Sequence, residues 1–429
     1  MKALIGLAAL AWAGAAGAQT LYAGARAWTG KGWEARDIAV AGDRIVDPAA
    51  LPAGAARVDA AGKWIVPAYG NAHAHVTNPT AEASRAYTDA GVFYVWNPNT
   101  VAIGAEGRAF YRRPDAYDVK VAQGGITEPG GHPERLYVDY LAGPVYGGKP
   151  RAWFVGNAFH YGSTPGEIDR ALNLLVAQGA DFVKAYLLHS ERYRALRDDP
   201  KAYGGRGLDP TNLPYLVAAA HRRGLFVAAH VETAHDLRMA AWAGVDVAAH
   251  LPGYSGGTGA ALEAERLSDA DARLVAASGM AVVPTFAVIR GDAYRGGGGP
   301  LKPEARPAAT VQAANLKRLI AAGVPVLLGT DGSGEVWTEA EHLVEIGAMD
   351  AAAAAAVAFG TGARLFPERR VGCLAVGCEA DFLMLGGDPT ADIRNLRRIE
   401  RRVMQGRELP GPAVEADPTP VPASEATVR

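Results

Sequence analysis

Six residues of this sequence have the types and positions needed to hold metal ions: His73, His75, Lys184, His230, His250 and Asp331. Each ends or follows an apolar run, as a buried parallel strand does when its C-terminal tip faces a ligand. His73 and His75 are two residues apart, a spacing that puts both side chains on one face of a strand. Imidazole and carboxylate donors with open positions suit Zn(II), with Mn or Co as substitutes. Three other histidines, His221, His235 and His342, fall in helical stretches and read as helix-surface residues. Six strand-end donors on five strands read as a two-metal hydrolytic site, because chance would scatter them over both ends of the strands.

Positioning them requires a repeating scaffold, and the chain between residues 64 and 329 supplies one. Eight candidate strands lie at 64–71, 91–96, 118–123, 181–186, 224–230, 244–250, 279–286 and 323–329. Glycine stands just before or at the start of six of them (Gly91, Gly179, Gly224, Gly244, Gly279, Gly323), where a left-handed residue ends the preceding helix. Strands alternating with helices argue for a parallel sheet, and eight argue for closure, so the expected fold is α/β, a (β/α)8 TIM-type barrel. Helix starts are signalled by Ser163-Thr164-Pro165 and by Thr338 with Glu341, a capping-box spacing. Segment 124–162 fits the repeat least and reads as a long loop over the active face. Short strands and turns at 19–66 and 370–409 predict a small β-sandwich domain made from both chain ends around a barrel at 67–369. Residues 410–429, rich in Pro and Ala, read as a disordered tail.

Composition narrows the function classes. The 429 residues carry 43 basic and 45 acidic side chains for a net charge of −2, with the basic ones scattered. Nothing forms the concentrated positive face that nucleic acid or anionic lipid needs. Residues 1–18 read as a secretory signal: Lys2, an apolar stretch to about Ala15, then Ala16-Gly17-Ala18. That stretch is shorter than the roughly 20 residues a membrane span needs, so cleavage after Ala18 and a periplasmic or secreted protein are expected. Cys373 and Cys378 have a spacing that permits a disulfide without requiring one, two small apolar residues near a turn being the alternative.

The motifs together resemble the amidohydrolase superfamily, in particular its imidazolonepropionase-related branch of binuclear dipeptidases and N-acyl-amino-acid hydrolases. The resemblance spans roughly residues 20–408 and rests on His73-Ala74-His75, Gly179 to Lys184, Ala229-His230-Val231-Glu232, Ala249-His250, Gly329-Thr330-Asp331-Gly332 and Gly377 to Leu385. It implies that His73, His75 and Asp331 bind one divalent ion, that His230 and His250 bind a second, and that Lys184 bridges them as a CO2-derived carbamate. Two such ions about 3.5–4 Å apart would share a water and present it as hydroxide to a carbonyl. Asp331 would take the proton and return it to the leaving nitrogen. His132, in Gly130-Gly131-His132, and Tyr186, on the same strand face as Lys184, are candidate catalytic donors to the developing oxyanion.

The sequence also departs from the family pattern. The residues before His73 are Pro67-Ala68-Tyr69-Gly70-Asn71, where an aspartate is usual, although Asn71 can still form hydrogen bonds. Phe93 to Pro98 replaces the usual second-strand Thr-Thr-Val-Arg. Arg290, beyond Pro284-Thr285-Phe286, is placed either to clamp a substrate carboxylate or, more simply, to sit solvated in a loop.

The expected activity is cleavage of an amide bond in a small-molecule substrate, a dipeptide or N-acyl amino acid, with homo-oligomerisation left open. Two alternatives stand beside it. In a mononuclear deaminase, Glu232 would handle protons and Lys184 would have no bridging task. In a catalytically silent periplasmic binding protein, the barrel would be kept without the chemistry. Cleavage after Ala18 predicts that protein recovered from the exporting cell has the intact mass of a chain beginning at Gln19; a mass retaining Met1 would contradict it.

Overall fold

The computed structural model describes residues 19–75, 79–291, 300–332 and 334–411; the predicted signal and nearly all of the predicted tail lie outside them. Strands from the two chain ends share one sheet. Its order runs Arg407–Glu408, Ile399–Met404, Phe382–Leu385, Trp64–Pro67, Gln19–Trp28, Trp33–Ala41, Arg44–Val46, with Ala56–Asp59 also beside Gln19–Trp28. The long first strand changes partner along its length, pairing Ala56–Asp59 through Thr20–Ala23 and Trp64–Pro67 through Arg26–Ala27. Alternation of small and large apolar side chains gives this sheet its own core of Tyr22, Ile38, Val40, Ile65, Phe382, Met384 and Val403. Cys373 and Cys378 beside it form a disulfide.

The central chain forms parallel strands alternating with helices, in two sheets. One holds Tyr69–Asn71, Val92–Asn97 and Asp118–Val121; the other runs Phe159–Tyr161, Gly125–Thr127, Val183–Tyr186, Val227–His230, Val247–Ala248, Ala281–Val282. These strands are near-continuously apolar because helices cover their outer face while the inner face is packed; Val92 to Val95 and Val183 to Tyr186 are all buried. Backbone bonds continue the ladder beyond the sheets: Asp181 N–H donates to Val121 O (2.8 Å), Leu327 N–H to Val282 O (2.9 Å) and Ala72 N–H to Leu328 O (2.7 Å). The six glycines that precede or open strands all have positive φ, between 70° and 82°.

Several expectations are corrected. Segment 124–162 is not a plain loop: it contributes Gly125–Thr127 and Phe159–Tyr161 to the sheet, a π-helical turn at Leu136–Leu141 and a short helix at Arg151–Phe154. The third strand is broken at Gln123 and Gly124, both at positive φ, so that its second half reads in sequence as a turn. The sixth and seventh strands span two residues each because their ends leave the ladder to carry His250 and Thr285. Thr338 does not cap a helix: Trp337–Glu345 has already begun, and its hydroxyl donates to Glu335 O (2.8 Å). Thr164 does cap Pro165–Ala177, accepting from Glu167 N–H.

The two cores are joined at Asp381. This residue, 2% exposed, accepts the Tyr94 hydroxyl (2.5 Å) and the Gln405 N–H (2.5 Å), while its carbonyl accepts from Ala68 N–H (3.2 Å). Burial raises the Asp381 carboxyl to about 6, so loss of a donor leaves a costly buried oxygen. Tyr94→Phe is expected to destabilise the protein by about 1–3 kcal/mol in chemical denaturation; an unchanged unfolding midpoint would contradict this role.

Candidate metal centre

The C-terminal tips of the parallel strands bring the six predicted donors into one cluster. His73 and His75 lie just past Tyr69–Asn71, Lys184 and Tyr186 face the same side of Val183–Tyr186, His230 closes Val227–His230, and His250 follows Val247–Ala248. Asp331 sits at φ 57° just past Gly329-Thr330, and its N–H donates to His73 O (2.8 Å). Asn71 fastens the same junction: its Oδ1 accepts from His73 N–H (3.1 Å) and Thr330 N–H (3.3 Å), and its Nδ2 donates to Thr330 Oγ1 (2.9 Å). The asparagine in place of the family aspartate therefore keeps a positioning role.

His73, His75 and Asp331 present one donor atom each within 4.8 Å of one another. His73 Nε2 and His75 Nε2 lie 3.1 and 2.9 Å from Asp331 Oδ1, and 3.3 Å from each other. The opposite ring nitrogens define the tautomers. His73 Nδ1 is 2.5 Å from Ala249 O and His75 Nδ1 is 2.8 Å from Asn99 O. A carbonyl can only accept, so each Nδ1 carries a proton and each Nε2 is the nitrogen turned toward the carboxylate. Burial pulls His73 down to about 4, outweighing Asp331, so it does not acquire a second proton near neutral pH. Burial alone would push the Asp331 carboxyl up, but the neighbouring His73 and His250 hold it well below the usual range. Two imidazole nitrogens and a carboxylate oxygen converging at these distances fit a divalent cation.

The cluster extends from there through ring contacts. His250 lies 4.4 Å from His73 and 4.6 Å from His230 between ring centroids. Its Nδ1 is 2.8 Å from Thr285 Oγ1, and because that hydroxyl donates to Pro284 O (2.8 Å), it accepts from His250 and leaves Nε2 bare. His230 Nε2 is 3.0 Å from Glu232 Oε1, which also accepts the Tyr254 hydroxyl (2.9 Å). Lys184 is 1% exposed, and among the described residues its ammonium makes no salt bridge. Burial pulls it down to about 7, with Asp331 opposing. Among the described residues no second group of three His, Cys, Asp or Glu donors is present, so a second ion would depend on Lys184.

His132 stacks on His230 at 5.1 Å and meets the edge of Tyr186 at 5.1 Å. Burial, then His230, lower it to about 3, so it stands neutral with an N–H to donate. Its loop is held by Arg206, whose carbonyl accepts His132 N–H (2.7 Å) and whose guanidinium pairs with buried Glu128 (3.2 Å). Tyr186 packs across Gly125, where a Cβ would lie 2.3 Å from its ring. Burial, then Asp331, hold its hydroxyl well above the usual phenol range, so it stays protonated.

Two readings fail here. Arg290 is neither a clamp nor solvated: it is 6% exposed, donates to His342 Nδ1 (2.9 Å) and pairs with Glu345. His342 is not a surface residue but fully buried, with Nε2 2.8 Å from Gln312 Oε1. His235 is partly buried, whereas His221 has a half-exposed side chain paired with Asp246 (2.8 Å). Sequence reasoning missed the carbonyls of Ala249 and Asn99, which no side-chain pattern reveals. It also missed Thr285, whose place at the end of the seventh strand was a usable signal.

Comparison with known proteins follows from this geometry. The model of the amidohydrolase family matches residues 193–408, half of the chain. Ochratoxinase of A. niger superposes with a TM-score of 0.69 at 18% identity, covering 93% of this chain and 97% of that one. A Xaa-Pro dipeptidase crystallised with methionine in its active site gives 0.66 at 19%, covering 91% and 100%. A structure described only as an amidohydrolase gives 0.68 at 22%, covering 91% and 98%. No curated protein sequence matched the chain.

Thr285→Val keeps the shape but removes the acceptor for His250 Nδ1. Metal affinity is expected to fall about 10–100-fold by chelator competition; unchanged affinity would remove Thr285 from the account.

Proposed function

The chain belongs to the amidohydrolase family, hydrolases of carbon–nitrogen bonds, and from that premise we propose that it cleaves the amide bond of a dipeptide or N-acyl amino acid. The observation that carries this reading is the convergence of His73 Nε2, His75 Nε2 and Asp331 Oδ1 within 3.3 Å of one another. We read the two parallel sheets as one (β/α)8 barrel, with 19–66 and 370–409 as the accompanying domain and 1–18 as a signal that sends the protein to the periplasm or beyond.

In this reading His73, His75 and Asp331 hold one divalent ion, His230 and His250 hold a second, and Lys184 lies between the two sets. Bound divalent ions, most simply zinc, would supply Lewis acidity to the carbonyl and lower the pKa of the attacking water. Lys184 contributes by burial: its amine lone pair adds to CO2, one proton leaves, and the resulting carbamate gives a buried anionic bridge where an ammonium would repel cations.

The chain's own groups complete the chemistry. Asp331 accepts the proton of the attacking water as its oxygen bonds to the carbonyl carbon. The same proton goes to the nitrogen as the C–N bond breaks, so the amine leaves neutral. The His132 N–H and the Tyr186 hydroxyl donate to the carbonyl oxygen as it gains charge. A mononuclear deaminase would leave Lys184 without a task, while its full burial beside Asp331 favours the bridged arrangement.

The zinc-loaded protein is expected to hydrolyse members of a dipeptide and N-acyl-amino-acid panel and to lose that activity on chelation. Asp331→Asn should lower kcat by about 10²–10⁴-fold, and Tyr186→Phe by about 10²-fold. Undiminished turnover in Asp331→Asn would contradict the assignment, and release of ammonia instead of amide cleavage would favour deamination.

A further inference from the structure

Past His250 the chain turns through Tyr254 and Ser255 to Gly257, and two carboxylates from other segments, Glu232 and Glu265, face this turn. Glu232 Oε1 accepts from Tyr254, and Glu232 Oε2 accepts the Ser255 hydroxyl (3.2 Å). On the same turn, a Cβ at Gly257 would lie 3.0 Å from Glu265 Oε1. Glu265 is 6% exposed, and its Oε2 is buried with no hydrogen-bond partner among the described residues. An unpartnered buried carboxylate oxygen costs free energy that a bound cation would recover.

The neighbouring basic groups do not meet this need. Arg266 is turned to Glu263 (2.8 Å), Arg206 to Glu128 and Arg290 to Glu345. His189 acts on Glu232 at a distance, and among the described residues Glu232 is the charged side chain that acts on Glu265. Burial, reinforced by Glu232, raises the Glu265 carboxyl to about 7, the behaviour of an acid awaiting a counter-charge.

We infer that Glu265, with Glu232 beside it, forms a subsite for a primary ammonium group of the substrate at the His230 side of the cleft. The inference rests on the amide-hydrolase reading and narrows it: the substrate carries a positive charge near the scissile amide. Glu265 is a specificity residue here and takes no part in bond cleavage.

The test uses the Asp331→Asn protein, reconstituted with zinc and checked for metal content, whose turnover is lowered about 10²–10⁴-fold, and calorimetry with three probes: glycyl-L-leucine, N-acetylglycyl-L-leucine and N-acetylglycyl-L-lysine. At least one ammonium-bearing probe is expected to bind about 10-fold or more tighter than the neutral one, the scale of a charge-assisted hydrogen bond. Adding Glu265→Gln should shrink that preference to under about 2-fold, while Glu265→Asp, a second variant that keeps the charge, should retain part of it. Equal binding of all three probes, binding of none, or a preference untouched by Glu265→Gln would overturn the subsite. Hydrolysis of the neutral probe by the wild-type enzyme would then still uphold the amide-hydrolase reading, so the two failures are distinguishable.

Discussion

Three potential ligand atoms held within hydrogen-bonding distance of one another are the constraint on which the rest of the structure depends. His73 Nε2, His75 Nε2 and Asp331 Oδ1 are kept there by bonds on their far sides: Ala249 O and Asn99 O on the rings, and His73 O on the Asp331 backbone. The backbone bond from Ala72 N–H to Leu328 O, the Asn71 bonds and the positive φ of Asp331 all act to hold the arrangement. A cation bound there would add its binding free energy to the folded state.

The same logic extends outward. Thr285 fixes the tautomer of His250 because its own proton is committed to Pro284 O. The seventh-strand turn that carries Thr285 is in turn held by Glu339, which accepts from Phe286 and Ala287 N–H at 2.9 and 2.7 Å. Behind it lies the buried chain of Arg290, His342 and Gln312. On the opposite side, Glu128 gathers Tyr193, Arg206 and the Asp209 N–H, and through the Arg206 carbonyl holds the His132 loop. Arg290, which looked available for substrate in the sequence, is spent on this support.

The donors were legible because parallel strands announce themselves twice, by an apolar run and by the polar residue that ends it. His73, His75, Lys184, His230, His250 and Asp331 each carried that signature, and the glycines marked where strands begin. What escaped was whatever local pattern does not encode. The break at Gln123–Gly124 disguised half a strand as a turn, and the burial of His342 and Arg290 depends on partners more than fifty residues away from Arg290 and thirty from His342. Carbonyl acceptors are invisible in sequence because every residue has one. The even choice over Cys373 and Cys378 was decided by three-dimensional proximity alone.

The central claim is a two-ion site that depends on Lys184, and metal content per chain tests it most directly. Inductively coupled plasma mass spectrometry on protein purified without chelator should give close to two zinc-like ions, falling sharply in Lys184→Ala. One ion per chain, unchanged by that substitution, or none under reconstituting conditions, would contradict the account.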